Sequence, residues 1–144
     1  MKGKRNALLV ADVQNDFCPG GALAVKEGDQ VVPIINQIQP LFDRIIATQD
    51  WHPPDHVSFA TNHPGKNTYD VISAGGISQV LWPAHCVAGT PGTAFHADLD
   101  TDRFHLILRK GMNPAIDSYS AFQENDKKSL TGLHDYLLNL CFSH

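Results

Sequence analysis

The sequence predicts an α/β fold with parallel strands at its centre. Three short runs, residues 7–13, 44–48 and 104–108, are apolar almost throughout rather than alternating, which is the pattern of strands covered on both faces. An amphipathic helical segment separates the first two runs, so the chain opens with a β–α–β unit. Residues 1–144 are enough for a single domain with its own hydrophobic core.

The predicted helix after the first run is marked by an apolar stripe on one face. The stripe consists of Val31, Ile34, Ile35, Ile38, Leu41 and Phe42. Asp29 precedes the stripe and is the expected N-cap. Pro33 is compatible with this helix because the first turn has no intrahelical N–H bonds to lose.

The rest of the chain is less regular. Residues 50–102 form a long stretch rich in proline, glycine and histidine, which is unusual in a compact domain unless the stretch is functional. A second helix is predicted from about residue 126 to residue 140, weakened slightly by Gly132. Its apolar face carries Leu130, Leu133, Leu137 and Leu140.

Composition and charge narrow the classes of function. The formal net charge is -4 without a run of basic residues, which argues against a nucleic-acid-binding surface. No segment approaches the roughly 20 apolar residues of a membrane span, and the apolar stretch after the basic residues 1–5 is too short for a secretory signal. The three cysteines have no framework spacing, so we expect a reducing, cytoplasmic location.

Each predicted strand leads into a residue that could carry chemistry. Asp12 comes at the end of the first run, Asp50 and His52 follow the second, and Lys110 follows the third. Ligands of open parallel sheets bind at the carboxyl ends of the strands, so these side chains are candidates for one site. A carboxylate and an ammonium beside a nucleophile would be a general base and its electrostatic partner. The structural alternatives are a turn cap for Asp12 and a solvated strand end for Lys110.

The segment Asp50-Trp51-His52 has the spacing of metal ligands, because residues i and i+2 of an extended chain point to the same side. The set could be completed from the loop by His56, His63 or His85. Carboxylate and imidazole donors suit zinc, manganese or ferrous iron, and three protein ligands with open positions would mark a catalytic site. The alternative is a loop that merely happens to be rich in histidine.

Three longer motifs carry a resemblance to a known family. They are DVQNDFCPGGAL at residues 12–23, TQDWHP at residues 48–53 and WPAHCVAGTPG at residues 82–92. Together they resemble the nicotinamidase/pyrazinamidase family of the isochorismatase-like cysteine hydrolases, over residues 7–122. The resemblance implies a three-layer α/β/α fold with about six parallel strands in the order 3-2-1-4-5-6, of which this chain would supply the first three.

The resemblance also implies a reaction, in which nicotinamide and water give nicotinate and ammonia during NAD salvage. In the family a cysteine thiolate attacks the carboxamide and forms a thioester. An aspartate takes the thiol proton and passes it to ammonia, and a lysine assists both. Asp12 matches that aspartate and Lys110 matches that lysine.

The same resemblance assigns a metal centre and a substrate pocket. Asp50, His52 and His85 match the ligands of one divalent ion, zinc being expected and iron or manganese being alternatives, and His56 matches a fourth ligand of some members. This ion would orient the pyridine nitrogen of the substrate. The residues that match the pocket around the pyridine ring are Phe17, Trp82 and Tyr119.

The nucleophilic cysteine of the family has no counterpart in the sequence. Its motif, of the type Gly-x-Ala-x-Asp-Tyr-Cys, is absent, and Cys18 and Cys86 lie inside other motifs. Cys141 follows the leucine-rich helix without a strand or small residues before it. We therefore expect a chain that is incomplete at its C-terminus, with its first strand as an open edge that favours poor stability or self-association.

Three functions remain open at this point. The first is a nicotinamidase, whose partner is the small molecule nicotinamide rather than a nucleic acid or a membrane. The second is a non-catalytic remnant that retains metal binding, and the third is a hydrolase of a different small amide. Trp82 and the metal motif favour nicotinamide over other amides.

Overall fold

The computed structural model describes residues 6–142, with side chains described as far as residue 140. In this range the strands are β1 (Ala7–Ala11), β2 (Arg44–Asp50), β3 (Val71–Ala74), β4 (Ile77–Val80) and β5 (Leu106–Lys110). The helices are α1 (Val31–Ile38) and α2 (Leu133–Phe142). Neither helix combines the length and the apolar character that crossing a membrane would require.

The strands β1, β2 and β5 form one parallel sheet in the order β1-β2-β5. This confirms the predicted α/β fold and the 3-2-1 order of its first three parallel strands. The register pairs Ala11 with Thr48 and Asp50 with Lys110. The carboxyl ends of all three strands therefore lie at the same end of the sheet. This brings together the residues predicted to carry chemistry.

Burial differs between the central strand and the outer strands. In β2, Ile45, Ile46 and Ala47 are at most 2% exposed. In contrast, Leu9 of β1 is 39% exposed and Ile107 of β5 is 47% exposed. The prediction that all three runs are covered on both faces is therefore right for β2 and wrong for β1 and β5, because exposure alternates along these two strands and one face of each is open.

The helix α1 is shorter than predicted and presents a different face to the core. Residues 28–30 already form a 3-10 turn, so Asp29 is not the N-cap, and Gln30 at that position makes no side-chain capping bond. Val32 is 3% exposed, whereas Ile34 is 58% exposed. The apolar stripe predicted from the sequence is therefore rotated toward Val32 and Ile35, which pack against the core of the sheet.

The long stretch after β2 contains a β-hairpin that the sequence analysis did not predict. The strands β3 and β4 are antiparallel and turn at Gly75 and Gly76, which have φ angles of 57° and 82°. Positive φ at both central residues is the geometry of a type I′ turn, which glycine adopts without strain. The Gly-Gly pair between two short runs with branched apolar residues was the signal for this hairpin.

The helix α2 begins at Leu133 rather than near residue 126. The residues before it form a turn in which the Asp126 carboxylate accepts hydrogen bonds from the backbone N–H groups of Lys128 and Ser129. Gly132 has a φ of 87° and lies just before the helix. The prediction that it weakens the helix interior is therefore wrong.

Candidate active site

The carboxyl ends of the three parallel strands bring two carboxylates and one ammonium into contact. The Nζ atom of Lys110 lies 2.9 Å from Oδ2 of Asp12 and makes a short hydrogen bond to Oδ1 of Asp50. It also donates to the carbonyl of Ser118 at 2.9 Å. Lys110 is 3% exposed, so it is a buried cation between two acids rather than a solvated strand end.

The two carboxylates set the charge of Lys110. Burial alone would lower the pKa of the ammonium, but the charges of Asp50 and Asp12 outweigh burial and raise the pKa above its ordinary value. For Asp50, burial favours the neutral acid, yet the neighbouring His52 and the charge of Lys110 lower the pKa. Lys110 and Asp50 are therefore both charged near neutral pH.

Asp12 is held in place at a backbone position that most residues avoid. Its φ is 50°, in the left-handed region, and such strain is frequent at functional sites. The hydroxyl of Thr48 donates to Oδ1 of Asp12 at 2.7 Å, and the backbone N–H of Asp12 donates to the carbonyl of Thr48. Thr48 and Lys110 thus fix opposite oxygens of one carboxylate.

Asp50, His52 and His85 form a buried group whose ligand atoms all lie within 4.8 Å of one another. The Nδ1 atoms of His52 and His85 face the carbonyls of Gly111 and Pro83 at 2.8 and 2.7 Å. A carbonyl only accepts, so each Nδ1 carries a proton, and in the neutral imidazole each Nε2 offers a lone pair. Metal-binding histidines are oriented in this way by their other ring nitrogen.

An orphaned atom shows that this group fits a cation. The Nε2 atom of His52 is buried without a hydrogen-bond partner and lies 3.6 Å from Oδ2 of Asp50. Gly111 makes room for the His52 ring, since its φ is 66° and a Cβ there would collide with the imidazole. One carboxylate and two imidazoles are a donor set suited to a divalent transition metal.

His56 and His63 have different surroundings. The ring of His56 lies 4.1 Å from that of His52, but its Nδ1 accepts from Ser58 at 2.8 Å and its Nε2 donates to the carbonyl of Ile116 at 3.2 Å. Both nitrogens of His56 are thus occupied, and burial together with His52 lowers its pKa to about 4. His63 donates to the carbonyl of Val57 and belongs to neither candidate metal group.

Seven of the predicted site residues line one cavity of about 230 Å³, whereas His52 and His56 are not part of its lining. Its lining consists of Asp12, Phe17, Leu23, Asp50, Trp82, His85, Lys110, Asp117, Ser118 and Tyr119. The Nε1–H of Trp82 donates to the hydroxyl of Tyr119 at 3.1 Å, which fixes one aromatic wall. The ring of Phe17 lies 5.6 Å from that of His85 and joins the aromatic wall to the candidate metal group.

Sequence reasoning missed Leu23, Asp117 and Ser118, which also line this cavity. Leu23 ends the first motif, and Asp117 and Ser118 directly precede Tyr119, so proximity to assigned residues was the available signal. Asp117 is 3% exposed, which is rare for a carboxylate and could not be inferred from a loop sequence.

Two polar residues of the first motif hold the loops together. The side-chain amide of Gln14 exchanges hydrogen bonds with the backbone N–H and carbonyl of Asp50 at 2.8 and 2.9 Å. The carboxylate of Asp16 accepts from the N–H of Cys86 at 2.6 Å, next to His85. The motif therefore positions the candidate metal group in addition to supplying Asp12.

The cysteines whose side chains the structure describes lack the properties of a nucleophile. Cys86 is fully buried, and burial followed by the charge of Asp50 raises the pKa of its thiol. Cys18 is 5% exposed, and burial raises its pKa as well. A reactive thiolate needs the opposite shift. The side chain of Cys141 lies outside the described residues.

Comparisons with known proteins agree with the motifs. The chain is 54% identical to a nicotinamidase of Acinetobacter baylyi over 138 residues and 44% identical to one of Escherichia coli over 135 residues. These alignments cover 95% and 91% of this chain but only 64% and 63% of the relatives. The chain thus spans somewhat less than two thirds of their length. No protein-family model matches it.

Solved structures show the same similarity. A nicotinamidase/pyrazinamidase of Acinetobacter baumannii has a TM-score of 0.92 at 50% identity, covering 96% of this chain and 67% of its own. A yeast nicotinamidase bound to the inhibitor nicotinaldehyde has a TM-score of 0.84 at 33% identity, covering 92% and 69%. A Pyrococcus horikoshii pyrazinamidase in complex with zinc has a TM-score of 0.69 at 34% identity, covering 96% and 66%. An isochorismatase-like hydrolase at 22% identity shares the fold, with a TM-score of 0.55.

Proposed function

This chain belongs to the nicotinamidase/pyrazinamidase family, and from that premise we propose that it acts in the hydrolysis of nicotinamide to nicotinate and ammonia. The observation that carries the proposal is that the Asp12–Lys110 pair lines one cavity together with Asp50 and His85, which form the candidate metal group with His52. An acid–base pair beside a candidate metal group is the equipment of a hydrolytic site.

In this proposal Asp12 is the general base. Its Oδ2 is paired with Lys110 and its Oδ1 with the hydroxyl of Thr48, so the carboxylate is held in one orientation. It would take the proton of the attacking cysteine thiol of the family reaction, a group that neither Cys18 nor Cys86 provides, as the sulfur bonds to the amide carbon. When the C–N bond breaks, Asp12 returns the proton to the departing nitrogen as ammonia is released. Water then cleaves the thioester to give nicotinate.

Asp50, His52 and His85 would hold the divalent ion, which supplies a Lewis acid for the pyridine nitrogen when bound. Zinc is the preferred identity, supported by the donor set and by the pyrazinamidase relative solved with zinc. The pyridine ring would pack between Phe17 and the hydrogen-bonded pair of Trp82 and Tyr119. A cavity of about 230 Å³ suits a ligand of this size.

A second candidate function is a chain that binds the metal without catalysing hydrolysis. The buried thiols of Cys18 and Cys86, with their raised pKa values, favour it because they leave Asp12 without an accessible nucleophile among the side chains described up to residue 140.

Ammonia release from nicotinamide by the zinc-loaded chain separates these candidates. If the chain hydrolyses nicotinamide, it should release ammonia, and the Asp12→Asn variant should not. Benzamide, which lacks the pyridine nitrogen, should be a poor substrate. Zinc binding without any ammonia release would contradict hydrolysis by this chain and support the second candidate.

We further infer a cytoplasmic role in NAD salvage and an association between copies of the chain. The unpaired thiols of Cys18 and Cys86 support a reducing compartment. The outer edge of β1, where Leu9 is 39% exposed, supports association, since an unpaired apolar strand favours pairing with another chain. Sedimentation that gives the monomer mass at all concentrations would contradict the association.

A further inference from the structure

Tyr69 is an exposed aromatic residue beside the wall of the candidate active site. It lies two residues before β3 and is 65% exposed. Its ring meets the ring of Trp82 edge to face, with the centroids 5.9 Å apart and an angle of 87° between the planes. Trp82 lines the cavity, whereas Tyr69 does not. Tyr69 therefore contacts the cavity wall from outside the lining.

The backbone of Tyr69 is strained at the base of the hairpin. Its φ is 73°, in the left-handed region, which is an outlier for a bulky side chain. The N–H of Tyr69 donates to the carbonyl of Leu81 at 2.6 Å, while the N–H of Leu81 donates to the carbonyl of Asp70 at 2.8 Å. Two residues thus oppose one, as in a G1 β-bulge, whose first position normally holds glycine.

The turn that contains Tyr69 is closed from both ends, which holds the residue in this conformation. The N–H of Asp70 donates to the carbonyl of Asn67 at 3.1 Å, and Oδ2 of Asp70 accepts from the N–H of Asn67 at 2.8 Å. Glycine would adopt the same φ without steric cost. Because most of the Tyr69 surface is in solvent, burial does not account for tyrosine at this position. Bulges and strained residues are frequent beside functional sites, where they direct a side chain.

The side chain that Tyr69 contacts is the indole of Trp82, which a second tyrosine also contacts. The ring of Tyr119 lies 6.5 Å from that of Trp82, and its hydroxyl accepts from the Nε1–H of Trp82 at 3.1 Å. Tyr119 is itself 60% exposed, so this contact alone restrains the indole weakly. The edge-to-face contact with Tyr69 adds a second restraint on the same ring.

We propose that Tyr69 is a positioning residue for the substrate, which fixes the Trp82 indole as the wall against which the pyridine ring of nicotinamide packs. The inference rests on the substrate pocket of the proposed function and adds to it a residue from outside the cavity. The bulge places the Tyr69 ring against Trp82, and the backbone strain follows from using tyrosine where glycine would fit. A wall that is fixed before binding lowers the cost of ordering it around the substrate.

The test is the variant Tyr69→Gly, which removes the ring and relieves the strain. The dissociation constant of nicotinamide for the zinc-loaded chain, measured by isothermal titration calorimetry, should rise about 3- to 10-fold, the range of a lost aromatic pair. The melting temperature should stay the same or rise, because glycine adopts the positive φ freely. Tyr69→Phe keeps the ring and should retain the native affinity.

The motion of the Trp82 ring is a direct readout of positioning. Trp51 and Trp82 are the two tryptophans of the sequence, so the fluorescence anisotropy decay of chains carrying Trp51→Phe reports on Trp82. Tyr69→Gly should increase the rapid motion of the indole, and Tyr69→Phe should not. Glu27→Gly is the matched control, since Glu27 is exposed and has a φ of 58°. It relieves the same kind of strain and should leave indole motion and nicotinamide affinity unchanged.

A purely structural role for Tyr69 gives a different pattern. Tyr69→Gly would then lower the melting temperature and leave the dissociation constant of nicotinamide within about twofold of the native value, which would overturn the inference. Unchanged motion of the indole in Tyr69→Gly would overturn it as well.

Trp82→Ala separates this inference from the proposed function. If Trp82→Ala abolishes nicotinamide binding and Tyr69→Gly has no effect, the role of Tyr69 is wrong and the substrate pocket stands. If the native zinc-loaded chain binds no nicotinamide, the substrate pocket itself is wrong and the role of Tyr69 fails with it.

Discussion

The carboxyl ends of the parallel strands and the outer edge of β1 are two very different environments. At the carboxyl ends of β1, β2 and β5, the charged groups of Asp12, Asp50 and Lys110 are partnered and mostly buried. Along the outer edge of β1, the backbone is unpaired within the described sheet and Leu9 is 39% exposed. The strand ends hold a dense polar cluster on a small apolar core, whereas the edge exposes apolar surface that only another strand would cover.

The comparison predicts that Lys110 has the largest effect on stability. Lys110→Met should lower the free energy of unfolding by about 3–5 kcal/mol, because it leaves two carboxylates in a buried cluster without their cation. Urea denaturation of the metal-free chain measures this. Lys110→Arg keeps the charge and should lose less. A loss below about 1 kcal/mol in Lys110→Met would show that the cluster is solvated rather than buried.

Thr48→Val should have the next largest effect, because it removes the hydroxyl that donates to Asp12 at 2.7 Å. A hydrogen bond to a charged group contributes about 1.5–3 kcal/mol. The loss should appear in the same denaturation measurement and be absent in Thr48→Ser, which retains the hydroxyl. Equal stability of the valine and serine variants would contradict the proposed support of Asp12.

Gly111→Ala tests whether the loop after β5 shapes the candidate metal group. The residue has a φ of 66°, and a Cβ would collide with the His52 ring. We expect a loss of about 1–3 kcal/mol from strain and weaker zinc binding. Gly65→Ala is the matched control, since Gly65 has a φ of 76° with open space around it. Equal zinc affinity in both variants would argue against a role of Gly111.

Leu9→Lys should have the smallest effect on folding and a specific effect on association. The side chain is already 39% exposed, so we expect a change of less than about 0.5 kcal/mol in unfolding free energy. A lysine on an edge strand opposes strand pairing, so self-association measured by sedimentation should decrease. Ile107→Lys places the same charge on β5, and a stronger effect there would assign the interface to the other edge.

The apolar strands were the part of the fold that local sequence predicts well. Residues 44–48 were recognised because a central strand is apolar throughout. The structure extends this strand to Asp50, which pairs in register with Lys110 and contacts its side chain. This contact joins distant parts of the chain, so the local sequence does not reveal it. The hairpin was missed because its strands are only four residues each and polar residues interrupt both.

The candidate site also contains residues that the sequence predicts and residues that it does not. The motifs predicted Asp12, Asp50, His52, His85 and Lys110. In the structure all of these except His52 line one cavity, and His52 lies beside Asp50 and His85. Asp117 was not predicted because its burial depends on Gln79 of the hairpin, which lies 38 residues earlier in the chain. A loop carboxylate looks solvent-exposed in sequence until the element that covers it is known.

The measurement that tests the account most directly is the zinc retained after dialysis by the native chain and by a His52→Ala/His85→Ala variant. In both histidines Nδ1 faces a backbone carbonyl, and the imidazole lies in the cluster with Asp50. We predict stoichiometric zinc in the native chain and none in the variant, with both folded by circular dichroism. Equal zinc in the two proteins would contradict the account, because the ends of the strands would then not be the metal centre.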